Sequence, residues 1–431
     1  MLRSGRWISS TISECFAGAV KQHRKFTGHY FYGFVFSLVN IWKPKVERLD
    51  TGLHIAPSLM RNLLKNPIYW LLLFIPLAWY LQHLDDQVSA VIKFFCAALA
   101  IIPMAALMVE STEQIAFRAG VAIGGLLNAT FGNAPELIIS LIALKAGLLD
   151  LVKASIVGVI LTNLLFVLGL SFLIGGVYNH AQKFNRRGVF VERTVLMIAV
   201  TSIVIPSVFD NFISQETYRQ EIALNAGVAV VLLITYGFNL LFMLKTHPHY
   251  YLPKKPKEIQ KQELELEPER WPLLSAAGLL LFASVVLALM SEILVGSIAE
   301  TAKHLGMSKA FIGVIIIALI GGAPESVAAV AMAKKNKLDL TMGIAVGSSI
   351  QIALFVAPVL MLSSYYIAPK PLNLVVGNAG IMIVMLAVMI FAMIGADGKS
   401  NWFKGVQLLS VYLLIALFCY FLPDRIDLCF P

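Results

Sequence analysis

From Ile68 onward the chain alternates long apolar runs with short polar gaps. A helix that crosses a bilayer needs about 20 mostly apolar residues. Eleven stretches are read as spans: 68–83, 88–109, 119–146, 152–177, 190–209, 223–245, 271–295, 308–333, 338–365, 372–396 and 404–423. Each is predicted to be helical, because a backbone in lipid must satisfy its hydrogen bonds within the segment. Residues 1–66 break the pattern. They are basic, aromatic around Tyr30 to Phe36, and their longest apolar run, His29 to Trp42, has the length of a surface or buried segment. Met60 precedes a short basic lead into the first run, so 1–59 is read either as an extension ahead of the native start or as an amphipathic surface segment.

The polar gaps set an orientation. With the N-terminus in the cytoplasm, Asn185-Arg186-Arg187, the stretch after Lys245, Lys334 to Lys337 and Lys399 to Lys404 fall inside. The acidic or nearly neutral gaps at Asp85-Asp86 and Asp210 to Glu221 fall outside, as the excess of Lys and Arg in cytoplasmic loops requires.

Two of the apolar stretches are copies of each other. GNAPELIISLIALKAGLLDLVKASIVG begins at Gly132, and GGAPESVAAVAMAKKNKLDLTMGIAVG begins at Gly321. Without a gap they pair Gly132 with Gly321, Pro135 with Pro324, Glu136 with Glu325, Lys145 with Lys334, Asp150 with Asp339 and Gly158 with Gly347. Five spans separate the two glutamates, and an odd number reverses direction across the membrane, so the copies are predicted to be inverted. Inverted repeats with Gly/Pro-interrupted helices point to a transporter site at the midplane. The expected organisation is a basic extension (1–66), a first transmembrane helix (67–87), a first five-helix repeat (88–245), a charged cytoplasmic linker (246–270), a second five-helix repeat (271–423) and a short tail (424–431). The linker carries Glu258, Glu263, Glu265, Glu267 and Glu269 among lysines and reads as a solvated connection or a regulatory cation-binding segment.

Composition agrees with an all-α polytopic membrane protein: of 431 residues, 58% are hydrophobic and only 14% charged. The net charge of +9 comes without a basic stripe interleaved with aromatics, so nucleic acid is excluded as a partner and the bilayer takes its place. The four cysteines, Cys15, Cys96, Cys419 and Cys429, show no metal or disulfide spacing. No HExxH or GxSxG motif is present, so no catalytic residue and no cofactor is expected.

An ionisable side chain inside an apolar span is costly and marks a pathway or a site. Glu136 and Glu325 each follow a Gly-x-Ala-Pro, where proline kinks a helix and frees carbonyls upstream, and Gly132 and Gly321 let a neighbour approach. Carboxylates with carbonyls and water form the hard-oxygen set that calcium prefers. Neutral oxygens follow at matching depth: Thr162 and Asn163 after Gly158, Ser348 and Gln351 after Gly347. Interhelical hydrogen bonding is the competing role for these four.

GLLNATFGNAPE, GNAPELIISLIALKAG and KNKLDLTMGIAVGSSIQIALF resemble the two alpha repeats of the calcium/cation antiporter superfamily, specifically its cation/proton exchangers. The resemblance covers roughly 68–423 and implies one peripheral helix followed by two inverted five-helix halves. It also implies calcium exchanged for protons as transported substrates, with Glu136 and Glu325 as the metal ligands. Asn133, Ser348, Gln351 and the carbonyls at Gly132 and Gly321 would complete the site. Glu292, Glu113 and Glu110 match acidic positions of that family and would line access paths, as would Thr162 and Asn163; water-facing carboxylates at span ends explain the acids equally well. Two positions depart from the family: Gly322 where Asn is usual, and Val159 where Ser is common. Each lacks a side-chain oxygen, which leaves the preference among calcium, manganese, sodium and potassium open. A sodium- or potassium-coupled exchanger of the same fold is the near alternative and a channel the distant one. Assembly as a homo-oligomer is left open. The resemblance implies an inner or plasma membrane in a prokaryote, and a vacuolar or other acidic-organelle membrane in a eukaryote.

Overall fold

The computed structural model describes residues 66–84, 88–209, 218–248 and 271–421. The N-terminal extension, the linker beyond residue 248 and the C-terminal tail lie outside the described residues. All but two short strands of the regular structure is helical. A 3-10 turn, Pro67–Leu73, capped by the Asn66 side chain, leads into α1, Phe74–Gln82. Then come α2 (Ala90–Phe131), α3 (Ala134–Lys145), α4 (Leu149–Leu161), α5 (Leu168–Asn179), β1 (Gln182–Lys183), α6 (Arg186–Phe209) and α7 (Tyr218–Leu241). After the linker come α8 (Leu273–Leu305), α9 (Lys309–Phe311), α10 (Ala318–Gly321), α11 (Ala323–Lys334), α12 (Leu338–Gln351), α13 (Ala357–Ile367), α14 (Asn378–Ile394), β2 (Lys399–Ser400) and α15 (Trp402–Phe421).

Among the described residues, eight helical runs are long and apolar enough to cross a membrane, and the α9–α11 pair, bent by 60°, makes a ninth. Two of the eleven expected spans are outside that count. The first helix, Pro67–Gln82, is apolar but short. The other is 119–146: helix continues through the expected polar gap at 110–118, the crossing run ends at Ala119, and the rest of α2 together with α3 is not counted as a span. The polar residues of that gap find partners while staying helical. Tyr69 Oη donates to Glu110 Oε2 at 2.6 Å, Gln114 Oε1 accepts from the Trp271 backbone N–H at 3.2 Å, and Arg118 donates to the Trp271 carbonyl. The helix is nonetheless sharply bent beyond that gap. A Cβ at Gly124 would fall on the carbonyl of Ala116, although eight residues of straight helix rise about 12 Å. Gly124 has no Cβ to meet that carbonyl, which permits the approach. The tenth expected span is also shortened at its start, since regular helix begins at Asn378.

The prolines of the repeat act differently from the expected kink within a helix. Helix stops at Gly132-Asn133 and again at Gly322, and Pro135 and Pro324 occupy the first turns of new helices. There the missing N–H has no ladder partner to lose, so proline starts a helix without cost.

Packing across the two copies is reciprocal. In the first half α5 packs on α11 and α15 of the second; the matching helix α13 packs on α3 and α7 of the first. Small residues permit the closest of these contacts. A Cβ at Gly405 would strike the Leu173 and Gly169 backbone, and one at Gly176 would strike the backbone of Trp402. Such approaches are how membrane helices gain packing energy where no hydrophobic driving force separates helix from lipid. α2 and α8 share a long interface of their own. At one end β1 pairs with β2, Gln182 to Ser400. The buried Gln182 Nε2 donates to the Ala333 carbonyl at 2.7 Å and to Asn336 Oδ1 at 3.1 Å, tying the halves together.

Candidate cation site

Glu136 and Glu325 stand in the first turns of α3 and α11, the helices that restart after each break. A helix N-terminus offers unpaired N–H groups and the positive end of its dipole, which favours a carboxylate there. Glu136 is 6% exposed, and its Oε2 has no hydrogen-bond partner. Glu325 is partly buried, and its Oε2 is likewise shielded and unpartnered. The two carboxylates act on each other's charge. Gly321 is what lets the Glu136 side chain lie against the break in the second copy. A Cβ there would stand 3.3 Å from Glu136 Cγ and from its Oε1, so the Glu136 side chain lies directly against the Gly321 backbone.

Neutral oxygens gather beside them. Ser348 Oγ donates to Asn133 Oδ1 at 2.6 Å, and Asn133 Nδ2 donates to Gln351 Oε1. Gly132 belongs to the same cluster, with Gln351 Oε1 3.9 Å from where its Cβ would be. The break in the first copy therefore touches α12 of the second through three side chains. Thr162 and Asn163 open a π-helical turn, Thr162–Val167, whose counterpart in the second copy, Ile352–Val356, is also π-helical. Such turns widen a helix and recur at functional sites. Thr162 Oγ1 is 3.2 Å from Tyr412 Oη, whereas both amide atoms of fully buried Asn163 lack a partner. Glu113 and Glu292 are exposed and make no contact with the cluster; Glu110 is held by Tyr69.

Two residues that the sequence reading passed over line the same place. A cavity of about 10 Å³ opens beside Glu136 and is bounded by Ser140, Ser155, Ile156, Val159 and Gly321. Ser140 lies one turn after Glu136 and Ser155 less than a turn before Gly158, so helical spacing from the motif would have found both. At the start of α4, a cavity of about 250 Å³ is lined by Gly147, Asp150, Leu151, Ala154, Ile298 and Lys309. Among the described residues no three His, Cys, Asp or Glu side chains cluster. The donor set is two carboxylates with neutral oxygens, suited to a hard cation.

Eight or nine helical runs long and apolar enough to cross a membrane define a multi-pass membrane protein. The chain belongs to the sodium/calcium exchanger family, whose sequence profile, described as "Sodium/calcium exchanger protein", matches residues 89–245 and 275–421. It is 42% identical over 373 residues to a Ca(2+)/H(+) antiporter of Aphanothece halophytica, covering 83% of this chain and 98% of that one. To the Ca(2+)/H(+) antiporter ChaA of Bacillus subtilis it is 41% identical over 330 residues, covering 76% and 92%. Among solved structures, native YfkE shares 35% of residues at a TM-score of 0.70, covering 82% of this chain and all (100%) of that one. The H+/Ca2+ exchanger CAX shares the fold at 16% identity and a TM-score of 0.62, covering 86% and 90%. These relatives place the chain in the calcium/proton exchanger branch, as a transporter and not an enzyme.

Proposed function

We propose that this protein exchanges calcium for protons across its membrane by alternating access, with Glu136 and Glu325 binding either the metal or the protons. The observation that carries the reading is the approach of the Glu136 side chain to Gly321 of the second copy, which leaves two carboxylates buried together. Two adjacent ionised carboxylates away from water are strongly disfavoured. One divalent cation neutralises the pair, and so do two protons, whereas the bare ionised pair keeps two uncompensated charges. Only the loaded forms therefore cross, and exchange follows. Asn133, Ser348, Gln351 and the Gly132 and Gly321 carbonyls supply neutral oxygens, and Asn163 lies on the path. The inverted halves present this site to one side and then the other. The exposed apolar side chains of α8 and α15, such as Leu281, Phe282, Leu413 and Leu414, suit contact with lipid tails.

The test is uptake of radioactive calcium into proteoliposomes with an acidic lumen, for the wild type, Glu136→Gln and Glu325→Gln. Wild-type uptake that stops when a protonophore dissipates the gradient, and that neither variant sustains, is the expected result. Uptake indifferent to pH but driven by a sodium or potassium gradient changes the coupling ion. Undiminished uptake by either variant overturns the assignment of the site.

A further inference from the structure

Superposing the two copies in sequence shows that the site is lopsided in a specific way. Asn133 corresponds to Gly322, and Ser348 corresponds to Val159. Asn133 and Ser348 are hydrogen-bonded to each other at 2.6 Å. The two positions without a side-chain oxygen are thus the symmetry equivalents of the two ends of one hydrogen bond. The pair is absent as a pair. That is the chemically coherent change, because an asparagine opposite a valine would leave a buried amide unpaired.

What stands there instead is the small cavity beside Glu136, with Val159 and Gly321 in its wall. Two hydroxyls face it. Ser140 and Ser155 are 5% and 6% exposed, and their Oγ atoms are 3.5 Å apart. Ser155 Oγ donates to the Val152 carbonyl at 2.8 Å, which turns its lone pairs toward Ser140 and the cavity. In the second copy the equivalent positions are Ala329 and Ile344, which carry no hydroxyl. The site therefore has two neutral-oxygen pairs of different kinds: Asn133 and Ser348 join the two halves, and Ser140 and Ser155 both belong to the first. The cavity volume, about 10 Å³, is near the smallest that admits a single water. Glu136 Oε2, buried and unpartnered, supplies the polar wall such a water needs.

Resting on the proposed function above, we propose that Ser140 and Ser155 form a hydrated subsite that retains one water of the incoming cation's shell against Glu136. This water takes the place of the ligand oxygen that Val159 does not offer. Retaining a water suits calcium, which accepts a variable oxygen shell. The subsite therefore sets affinity and selectivity without carrying charge.

The test measures calcium exchange in proteoliposomes for Ser140→Ala/Ser155→Ala, for the same double variant carrying Val159→Ser and Gly322→Asn, and for Glu136→Gln. Detergent-solubilised samples are matched by thermal midpoint. Loss of the water's anchor is expected to raise KM for calcium about three- to tenfold, the scale of one neutral hydrogen bond, with the maximal rate retained. The preference for calcium over manganese is expected to fall. The quadruple variant, which restores a direct side-chain oxygen, is expected to recover KM. An unchanged KM and selectivity in the double serine variant, with Glu136→Gln inactive, overturns the subsite while leaving the proposed function intact. An active Glu136→Gln overturns the proposed function itself.

Discussion

Asn133, at the break in the first copy, accepts a hydrogen bond from Ser348 Oγ of the second at 2.6 Å while donating to Gln351. One side chain thus spans the boundary between the halves at the depth of the carboxylates. Replacing it by alanine leaves a serine hydroxyl and a glutamine carbonyl without their partner. The cost expected for such orphaned groups is about 1–3 kcal/mol. Asn133→Ala is therefore expected to lower the thermal midpoint in detergent and to weaken calcium affinity in equilibrium binding. Asn133→Asp adds a third carboxylate to the cluster and is expected to slow exchange more than alanine does.

Gly321 is required because Glu136 lies against it. A methyl group would stand 3.3 Å from Glu136 Cγ and Oε1, tighter than ordinary contact but against the movable end of a side chain. Gly321→Ala should preserve folding and reduce the exchange rate, because the carboxylate must shift by a few tenths of an ångström. Gly321→Val should abolish exchange with the protein still purifiable. A purified Gly321→Val protein with wild-type transport would contradict the placement.

The packing of α5 on α15 gives a test of stability separate from transport. A Cβ at Gly405 meets backbone atoms of Leu173 and Gly169, which cannot turn aside. Gly405→Ala is expected to lower the thermal midpoint and the yield. Gly237→Ala is the control: nothing lies within 4 Å of its Cβ position, and alanine is the better helix former by about 1 kcal/mol. Its midpoint should be unchanged or higher.

At the strand-bearing end, the buried Gln182 amide holds the Ala333 carbonyl and the Asn336 side chain. Gln182→Leu removes both bonds while filling the volume. A midpoint reduced by about 1–3 kcal/mol of stability, with calcium affinity preserved, is expected from denaturant titration and binding at equilibrium. Loss of calcium affinity in that variant would show that this junction communicates with the carboxylates.

The hydroxyl of Thr162 is shared with Tyr412. Tyr412→Phe removes that partner without altering shape, and a change of under about 1 kcal/mol in stability with an unchanged KM is expected. Asn163, whose amide has no protein partner, behaves differently. Asn163→Leu should change transport while leaving the fold intact, as measured by initial exchange rates at matched protein density.

The all-helical membrane class, the family and the two glutamates to test are legible in the residues alone. Periodic apolar runs, the gapless copy of Gly-x-Ala-Pro-Glu and the distribution of Lys and Arg are local signals that survive without coordinates. The residues also mark Gly322 and Val159 as departures. That these two positions mirror a bonded pair emerges from the packed helices, because hydrogen-bond partners 215 residues apart leave no mark in local spacing. The same packing shows that residues 110–118 stay helical and that the prolines begin helices. Hydropathy sees Glu110, Gln114 and Arg118 as a polar gap, while Tyr69 and Trp271 supply partners from elsewhere in the chain. Ser140 and Ser155 were ordinary serines in apolar helices until the crossing of α3 and α4 brought their hydroxyls to the cavity beside Glu136. The type of each element follows from local chemistry, but which polar atoms share a dry interior is set by how the helices pack.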